Sequence, residues 1–359
     1  MAITGVGSGA LARLIADSTA VKTRMETLTA QAADGRRGAL YGDIAPDARR
    51  AIDLRAEIGR REAHGTAIDR ALGRTAATQD TMSRLSAIVE SFLGEAQKIN
   101  RTDNARITTV AAGAAQAARE VAGLLNETHA GEYLFSGTDT GNPPIPDADG
   151  IMSGGMAQDI AAAVASLGGG NAASVLAATK AAAGSDTAGT TPFSAYLSDP
   201  ARGLTEPRRA TLAGDGEAIR TGVFANRNAD ATSGGETTGS WARDILRGLM
   251  TLASLTPQAA ASAGDDFDAM MTGVRAGFRS AADALAEEEG SLGLAEKRLE
   301  SARSRHADLQ TTLGTQLAGV EEVDLAETLT ALQDTQTRLQ ASWKALSMMA
   351  SLSLTSFLR

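Results

Sequence analysis

At 359 residues the chain is long for one domain and implies two or three. A formal charge of −9 with a pI near 5.0 excludes the basic footprint of a nucleic-acid binder, and zero cysteines exclude disulfides and thiolate metal sites. Aromatic residues make up only 3%, which points to thin helical bundles rather than a broad core.

The opening MAITGVGSGALARL lacks a basic stretch followed by an apolar run, so no cleaved secretory signal is expected. No apolar run reaches the roughly 18–20 residues that cross a bilayer, so no membrane insertion is expected. Six of the eight prolines fall between Pro143 and Pro207, none between Asp47 and Asn142, and none after Pro257. Because proline costs about 3 kcal/mol inside a helix, the two proline-free wings can be long helices.

In chain order, a first helix is expected over about 8–33. Its apolar residues Leu11, Leu14, Val21, Met25 and Leu28, with Ser18 and Ala32 between and after them, follow the 3-4 spacing of a coiled-coil seam. A connector, DGRRGALYGDIAP, spans 34–46. A long helix then starts with Pro46 in its first turn and runs to about Asn100. Its seam is Ile68, Leu72, Thr75, Gln79, Met82, Leu85, Val89, Leu93 and Ala96, and Gly59, Gly65 and Gly73 predict a break in its first half. Another helix covers about 104–129.

The middle is different. EYLFSGTDTGNPPIP is a short apolar run followed by turn residues. A small helix is expected near 157–166, followed by an Ala/Gly/Thr-rich loop. RATLAGDGEAIRTGVFAN predicts two short strands around Gly214-Asp215-Gly216. Helical pattern returns at 241–255, stops at Pro257 and restarts at Asp265. Leu292, Ala295, Leu299, Ala302, His306, Leu309 and Leu313 form the next seam, and Gly319 is expected to end that helix.

The last stretch, 323–359, contains neither proline nor glycine. Leu325, Leu329, Leu332, Gln336, Leu339, Trp343, Leu346 and Ala350 give a seam spaced 4-3-4-3, and Asp324 with Glu327 makes a helix-start signal. A narrow seam needs a partner, because an isolated helix gains little from propensity alone. The two terminal seams therefore predict a chain that runs out and back, with these residues buried on assembly between molecules. The candidate interface is Leu11, Leu14, Val21, Met25, Leu28, Leu325, Leu329, Leu332, Leu339, Trp343 and Leu346.

Nothing in the sequence asks for catalysis. Gly5-Val-Gly7-Ser-Gly9 follows no strand and lacks the rest of either phosphate-binding fingerprint. His64, His129 and His306 have no ligand-spaced neighbours, so no metal or other cofactor is expected. The run Glu287–Glu289 predicts a solvated helix face. No Ser-His-Asp elbow, P-loop or zincin motif occurs.

Four segments resemble a known group. EYLFSGTDTGNPPI (132–145) resembles a segment of the hook–filament junction proteins of the flagellin superfamily, the hook-associated protein 3 group. GDGEAIRTGVFANRNAD (214–230) is similar to the short β segment that follows it there. DLAETLTALQDTQTRLQASWKALSMMASLSLTSFL (324–358) resembles the C-terminal helix, including the L-Q-x-x-Q-T-x-L-Q-A-S core at Leu332–Ser342. ARRAIDLRAEIGRREAHGTAIDRA (48–71) is similar to the first long helix. The connector DGRRGALYGDIAPDA departs from the N-x-P-S-D-D-P-like run of the family.

The resemblance implies a mainly α, flagellin-like fold: a long antiparallel bundle built from both chain ends with a small mixed insert. Residues 1–45 with 319–359 would form the inner axial layer, 46–140 with 241–318 the long-helix bundle, and 141–240 an outward-facing insert. It implies a non-enzymatic, extracellular subunit of the bacterial flagellum at the junction of hook and filament. Its partners would be the first hook-associated protein, flagellin, a ring of like subunits, an export chaperone and the type III export apparatus. The alternatives are flagellin itself and, from a different class, a secreted helical adhesin.

Overall fold

In the computed structural model the backbone is described for residues 6–357 and the side chains for residues 12–348. The fold is mainly α with long terminal helices and two small strand pairs. The elements are α1 (Val6–Asp34), α2 (Ala48–Lys98), α3 (Asn104–Leu125), β1 (Thr128–His129), β2 (Glu132–Tyr133), α4 (Gly155–Ala165), α5 (Ala172–Gly184), β3 (Ala210–Gly214), β4 (Glu217–Arg220), α6 (Trp241–Ala253), α7 (Pro257–Ala263), α8 (Asp265–Glu321) and α9 (Leu325–Phe357). A single 3-10 turn at Ile151–Ser153 precedes α4. The chain divides into two compact units, Met1–Ala63 with His306–Arg359 and His64–Arg305, so α2 and α8 each contribute to both.

The long helices follow the proline-free wings, with three corrections. First, α2 is continuous through Gly59, Gly65 and Gly73. Gly73 has a packing reason, since a β-carbon there would sit 3.3 Å from the His129 ring. Second, α8 passes Gly319 and ends at Glu321. Third, the stretch expected as an Ala/Gly/Thr loop contains α5, which buries Ala172, Val175, Thr179, Ala182 and Ala183.

The seams of α2 and α8 line the core of the larger unit. Ile68, Thr75, Met82, Leu85, Val89 and Ala96 are buried along α2, as are Leu292, Ala295, Leu299 and Ala302 along α8; His306, the next seam position and the first α8 residue of the smaller unit, is buried too. The expected next step, Leu309, is exposed; the buried line shifts to half-buried Gln310 and Leu313 and then to Val320. At one end of the unit Ile68 and Ala71 pack with Leu299 and Ala302 and with Ala213 and Ile219 of the β3–β4 hairpin. At the other end the Arg275 guanidinium donates to the Ala96 carbonyl at 3.1 Å, so the two helices run antiparallel. The hairpin turns at Gly216, whose φ of +84° suits a residue without a β-carbon.

The middle of the chain shares this unit's main core. Ile145, Met156, Ile160, Val164 and Phe193 join Leu85, Val121, Leu249 and Phe278 in one cluster. The two central segments singled out in the sequence meet here. Ser136 and Phe224 form a β-bridge, and the Ala225 N–H donates to the Phe135 carbonyl at 3.0 Å. The Phe135 ring meets Trp241 edge-on, 6.3 Å between centroids.

Helix α6 is enclosed on all sides, including its polar stripe. The Arg243 guanidinium donates to the carbonyls of Asn226 (2.7 Å), Ala183 (3.0 Å) and Ser185 (3.2 Å) and pairs with Asp186. Arg247 donates to Thr179 Oγ1 (3.0 Å), the Leu176 carbonyl and Glu236 (both 2.8 Å). The Asp244 carboxylate accepts from the Thr237 hydroxyl and the Thr238 N–H; burial nevertheless raises its pKa above the ordinary aspartate value. Gly248 on the same helix lies under the Phe278 ring, which a β-carbon would meet at 2.5 Å.

The acidic run on α8 is not a solvated face. Glu288 is fully buried, and its Oε1 accepts the backbone N–H groups of Ala229, Asp230 (2.9 Å) and Ala231 (3.1 Å). Glu287 accepts the next one, from Thr232, at 2.9 Å. The two carboxylates tie the 229–232 loop to the helix.

Leu285 and Leu299 are both fully buried, whereas Leu294 is largely exposed. Changing either buried leucine to Asn is expected to cost about 3 kcal/mol or more, through lost apolar burial plus a desolvated amide. Leu294→Asn should stay within about 0.5 kcal/mol. Thermal unfolding followed by circular dichroism checks this; equal melting temperatures for all three would show that the seam has been misassigned.

Candidate assembly interface

The smaller unit pairs the two chain ends, with α1 packed against α9. On α1 the side chains facing inward are those of the sequence seam. Leu28 and Ser18 are buried, and Leu14, Val21, Met25 and Ala32 are half-buried. Leu11 lies outside the described side chains.

On α9 the buried line is rotated from the expected one. Thr328, Thr335 and Leu339 are buried, with Leu332 and Leu346 half-buried beside them. Leu325 and Leu329 are each 50% exposed and Trp343 is 58% exposed. The α9 residues proposed from the sequence thus fall on two faces. Leu332, Leu339 and Leu346 lie on the buried side, while Leu325, Leu329 and Trp343, with Gln336 between the last two, form a neighbouring row that the described chain leaves half exposed. A 3-4 spacing cannot separate two adjacent stripes on one helix, because threonines at 328 and 335 serve as well as leucine against a close neighbour.

The start of α9 is fixed as its sequence suggests. The Asp324 carboxylate accepts the N–H groups of Ala326 (2.8 Å) and Glu327 (3.2 Å), satisfying two of the free donors of the first turn.

The connector between α1 and α2 docks on the joint between α8 and α9. The Val323 N–H donates to the Gly35 carbonyl (3.0 Å) and the Arg37 N–H to the Glu321 carbonyl (2.8 Å). The Arg37 guanidinium donates to the carbonyls of Gly319 and Glu322, both at 3.0 Å. A cation on the free carbonyls at a helix C-terminus satisfies them and complements the helix dipole. Arg55 of α2 adds an ion pair to Glu321 at 2.8 Å and a hydrogen bond to the Tyr41 hydroxyl at 2.9 Å. Ile44, Ala51, Leu54 and Val320 close a small apolar core beneath. Sequence reading left this connector as a plain link; the two arginines at 36–37 opposite the Glu321–Glu322 pair were the available signal.

No group of three or more His, Asp or Glu that could hold a metal occurs among the described residues, and no described helix is long and apolar enough to cross a membrane. The surface is a helix pair clamped at one end, with Leu325, Leu329 and Trp343 half or more exposed along it. The sequence of this surface has a counterpart. Residues 277–358 match the bacterial flagellin C-terminal helical region. The matched stretch takes in most of α8 and all of α9. No curated protein matches the chain. The match supports the flagellin superfamily and a structural flagellar subunit; it does not separate filament from junction.

Arg37→Ala removes both side-chain bonds to the end of α8. Hydrogen exchange at 319–324 is expected to rise about tenfold, as the loss of charge-assisted bonds implies. Exchange in α6 should not change, and an unaltered 319–324 segment would show that Arg37 does not hold the joint.

Proposed function

We propose that the chain is a structural subunit of the bacterial flagellum that joins hook to filament. The observation that carries this reading is the uncovered row Leu325, Leu329 and Trp343 on a helix matching the flagellin C-terminal region. Burying the exposed half of each such side chain contributes roughly 1 kcal/mol, a gain that a lone chain forgoes and a ring of like subunits makes available. The candidate interface then has two parts. Leu14, Val21, Met25, Leu28, Leu332, Leu339 and Leu346 hold α1 to α9, and Leu325, Leu329 and Trp343 meet neighbouring subunits.

In this reading the terminal helices are the inner axial layer, the long helices surround them, and 141–240 faces outward. The subunit is non-enzymatic and extracellular and is exported through the type III apparatus after handling by a chaperone. Its neighbours are the first hook-associated protein, its own copies and flagellin. The assignment to the junction rests on the resemblance of 132–145 and 214–230. Flagellin is the second reading, supported by the C-terminal match alone.

Two experiments test this. Deleting the gene should leave bald cells that spill flagellin into the medium. Bald cells with little secreted flagellin would make the chain the filament subunit, and normal motile cells would overturn a flagellar role. Leu329→Asp should block incorporation into the flagellum while leaving the monomer's melting temperature within about 1 °C, since surface substitutions change stability by about 0.5 kcal/mol at most. Normal filaments in that variant would show that the exposed row is not the contact.

A further inference from the structure

A cavity of about 520 Å³ opens in the larger unit between α2, the β1–β2 pair and strand β3. Its lining is cationic: Arg70 and Arg74 from α2 and Arg209 before β3, with His129 beside them and Glu132 as the one acidic residue. Thr211 and Thr221 add hydroxyl groups. In a chain with nine more negative than positive charges, three guanidiniums around one opening are a local inversion of sign.

The internal bonding shows what the cavity accepts. Glu132 Oε2 bridges two of the arginines, receiving Arg209 Nη1 at 2.6 Å and Arg74 Nη1 at 3.2 Å. Those bonds, Arg209's first, hold the Glu132 carboxyl below the ordinary glutamate range. Arg74 is spent in the frame, its Nη2 donating to the carbonyls of Tyr133 (2.6 Å) and Leu134 (3.0 Å). Burial, and next the charge of Arg209, depress its own pKa. Arg70 is exposed and enters no hydrogen bond or ion pair among the described residues. Among the lining residues one carboxylate, bonded to two of the three guanidiniums, leaves a surplus of two positive charges.

The wall opposite is held in an uncommon conformation. Ala130, which lines the cavity, has φ +51°, followed by Gly131 at +81°. A side-chain-bearing residue in the left-handed region persists only where its surroundings enforce it, and such positions gather at binding sites. Here the enforcement comes from the tight β1–β2 turn and from the His129 ring lying against Gly73 of α2.

We propose that this cavity binds a carboxylate-bearing ligand, held by Arg70 and Arg209 beside the Arg74–Glu132 frame. The planar guanidinium fork suits a carboxylate, and the bridge at Glu132 already displays that geometry with an internal one. The carboxylates come either from acidic side chains of a second copy of this acidic chain or from a free polycarboxylate. The first source rests on the self-assembling subunit proposed above; the binding site itself does not.

The test uses the full chain and citrate as probe, titrated by NMR at constant ionic strength with chloride as the reference salt. Backbone signals of 129–132 and 209–212 should shift with citrate and not with chloride. Arg70→Glu, which breaks no internal bond, should weaken citrate binding about tenfold or more. Arg298→Glu, on an exposed part of α8, should leave it unchanged. Equal citrate shifts in wild type and Arg70→Glu, or no shift in wild type, would overturn the proposal. Sedimentation of concentrated chain then distinguishes the sources. Self-association weakened by Arg70→Glu and spared by Arg298→Glu identifies a second copy, whereas equal self-association with selective citrate binding identifies a free ligand. Assembly that survives Arg70→Glu leaves the flagellar reading intact, so the two claims fail separately.

Discussion

The larger unit depends on how α6 keeps three charged side chains in a dry interior. Arg243, Asp244 and Arg247 are each no more than 5% exposed. Removing a charge from water is costly unless hydrogen bonds replace the lost solvent. The replacements come from the middle of the chain: carbonyls of Leu176, Ala183, Ser185 and Asn226, and side chains of Thr179, Asp186, Glu236 and Thr237. That requirement gives a segment poor in large apolar residues a definite course. Its loops are ordered because α6 needs their carbonyls, and α6 is buried because they cover it. Glu288 repeats the arrangement with the sign reversed, a buried anion holding three N–H groups of 229–231.

This reciprocity explains which parts of the fold could be read in advance. The wings were legible because helical periodicity and missing proline are local properties. Asp324 as a helix cap and Gly216 as a hairpin turn were legible for the same reason. Helix α5 was not: its sequence AASVLAATKAAAG has too few large apolar residues to show a period, and it forms where α4 and α6 bury its alanines. Glu288 was misread because three consecutive glutamates look solvated unless the facing loop is known. Gly319 did not end α8, since the Arg37 guanidinium satisfies its carbonyl and Val320 packs in the core below.

Within the chain, the packing of the two terminal helices was legible in part. On α1 the buried and half-buried positions Leu14, Val21, Met25 and Leu28 keep the spacing read from the sequence, since among the described residues they make one regular apolar line. On α9 two lines compete. The one taken inward holds Thr328, Thr335 and Leu339 with half-buried Leu332 and Leu346, and the one left outside holds Leu325, Leu329 and Trp343. Small residues at a helix contact allow close approach, while the larger residues remain available elsewhere.

That partition is the reverse of what a self-contained bundle would use. A helix whose only task is to stabilise its own chain gains most by turning Trp343 inward, since a buried aromatic side chain contributes more than a threonine. In α9 Leu325, Leu329 and Trp343 are half or more exposed, while Leu332, Leu339 and Leu346 pack toward α1, and the base of the pair is fixed by polar geometry: the Asp324 cap, the Gly35–Val323 bond and the Arg37 clamp. Such a construction fixes the direction of the helix while leaving its broad apolar face to be filled. The physical division is between a clamp that acts within one chain and a row that the described chain leaves half exposed. The clamp therefore sets the orientation in which the row is presented, and the strength of any association is set by the row.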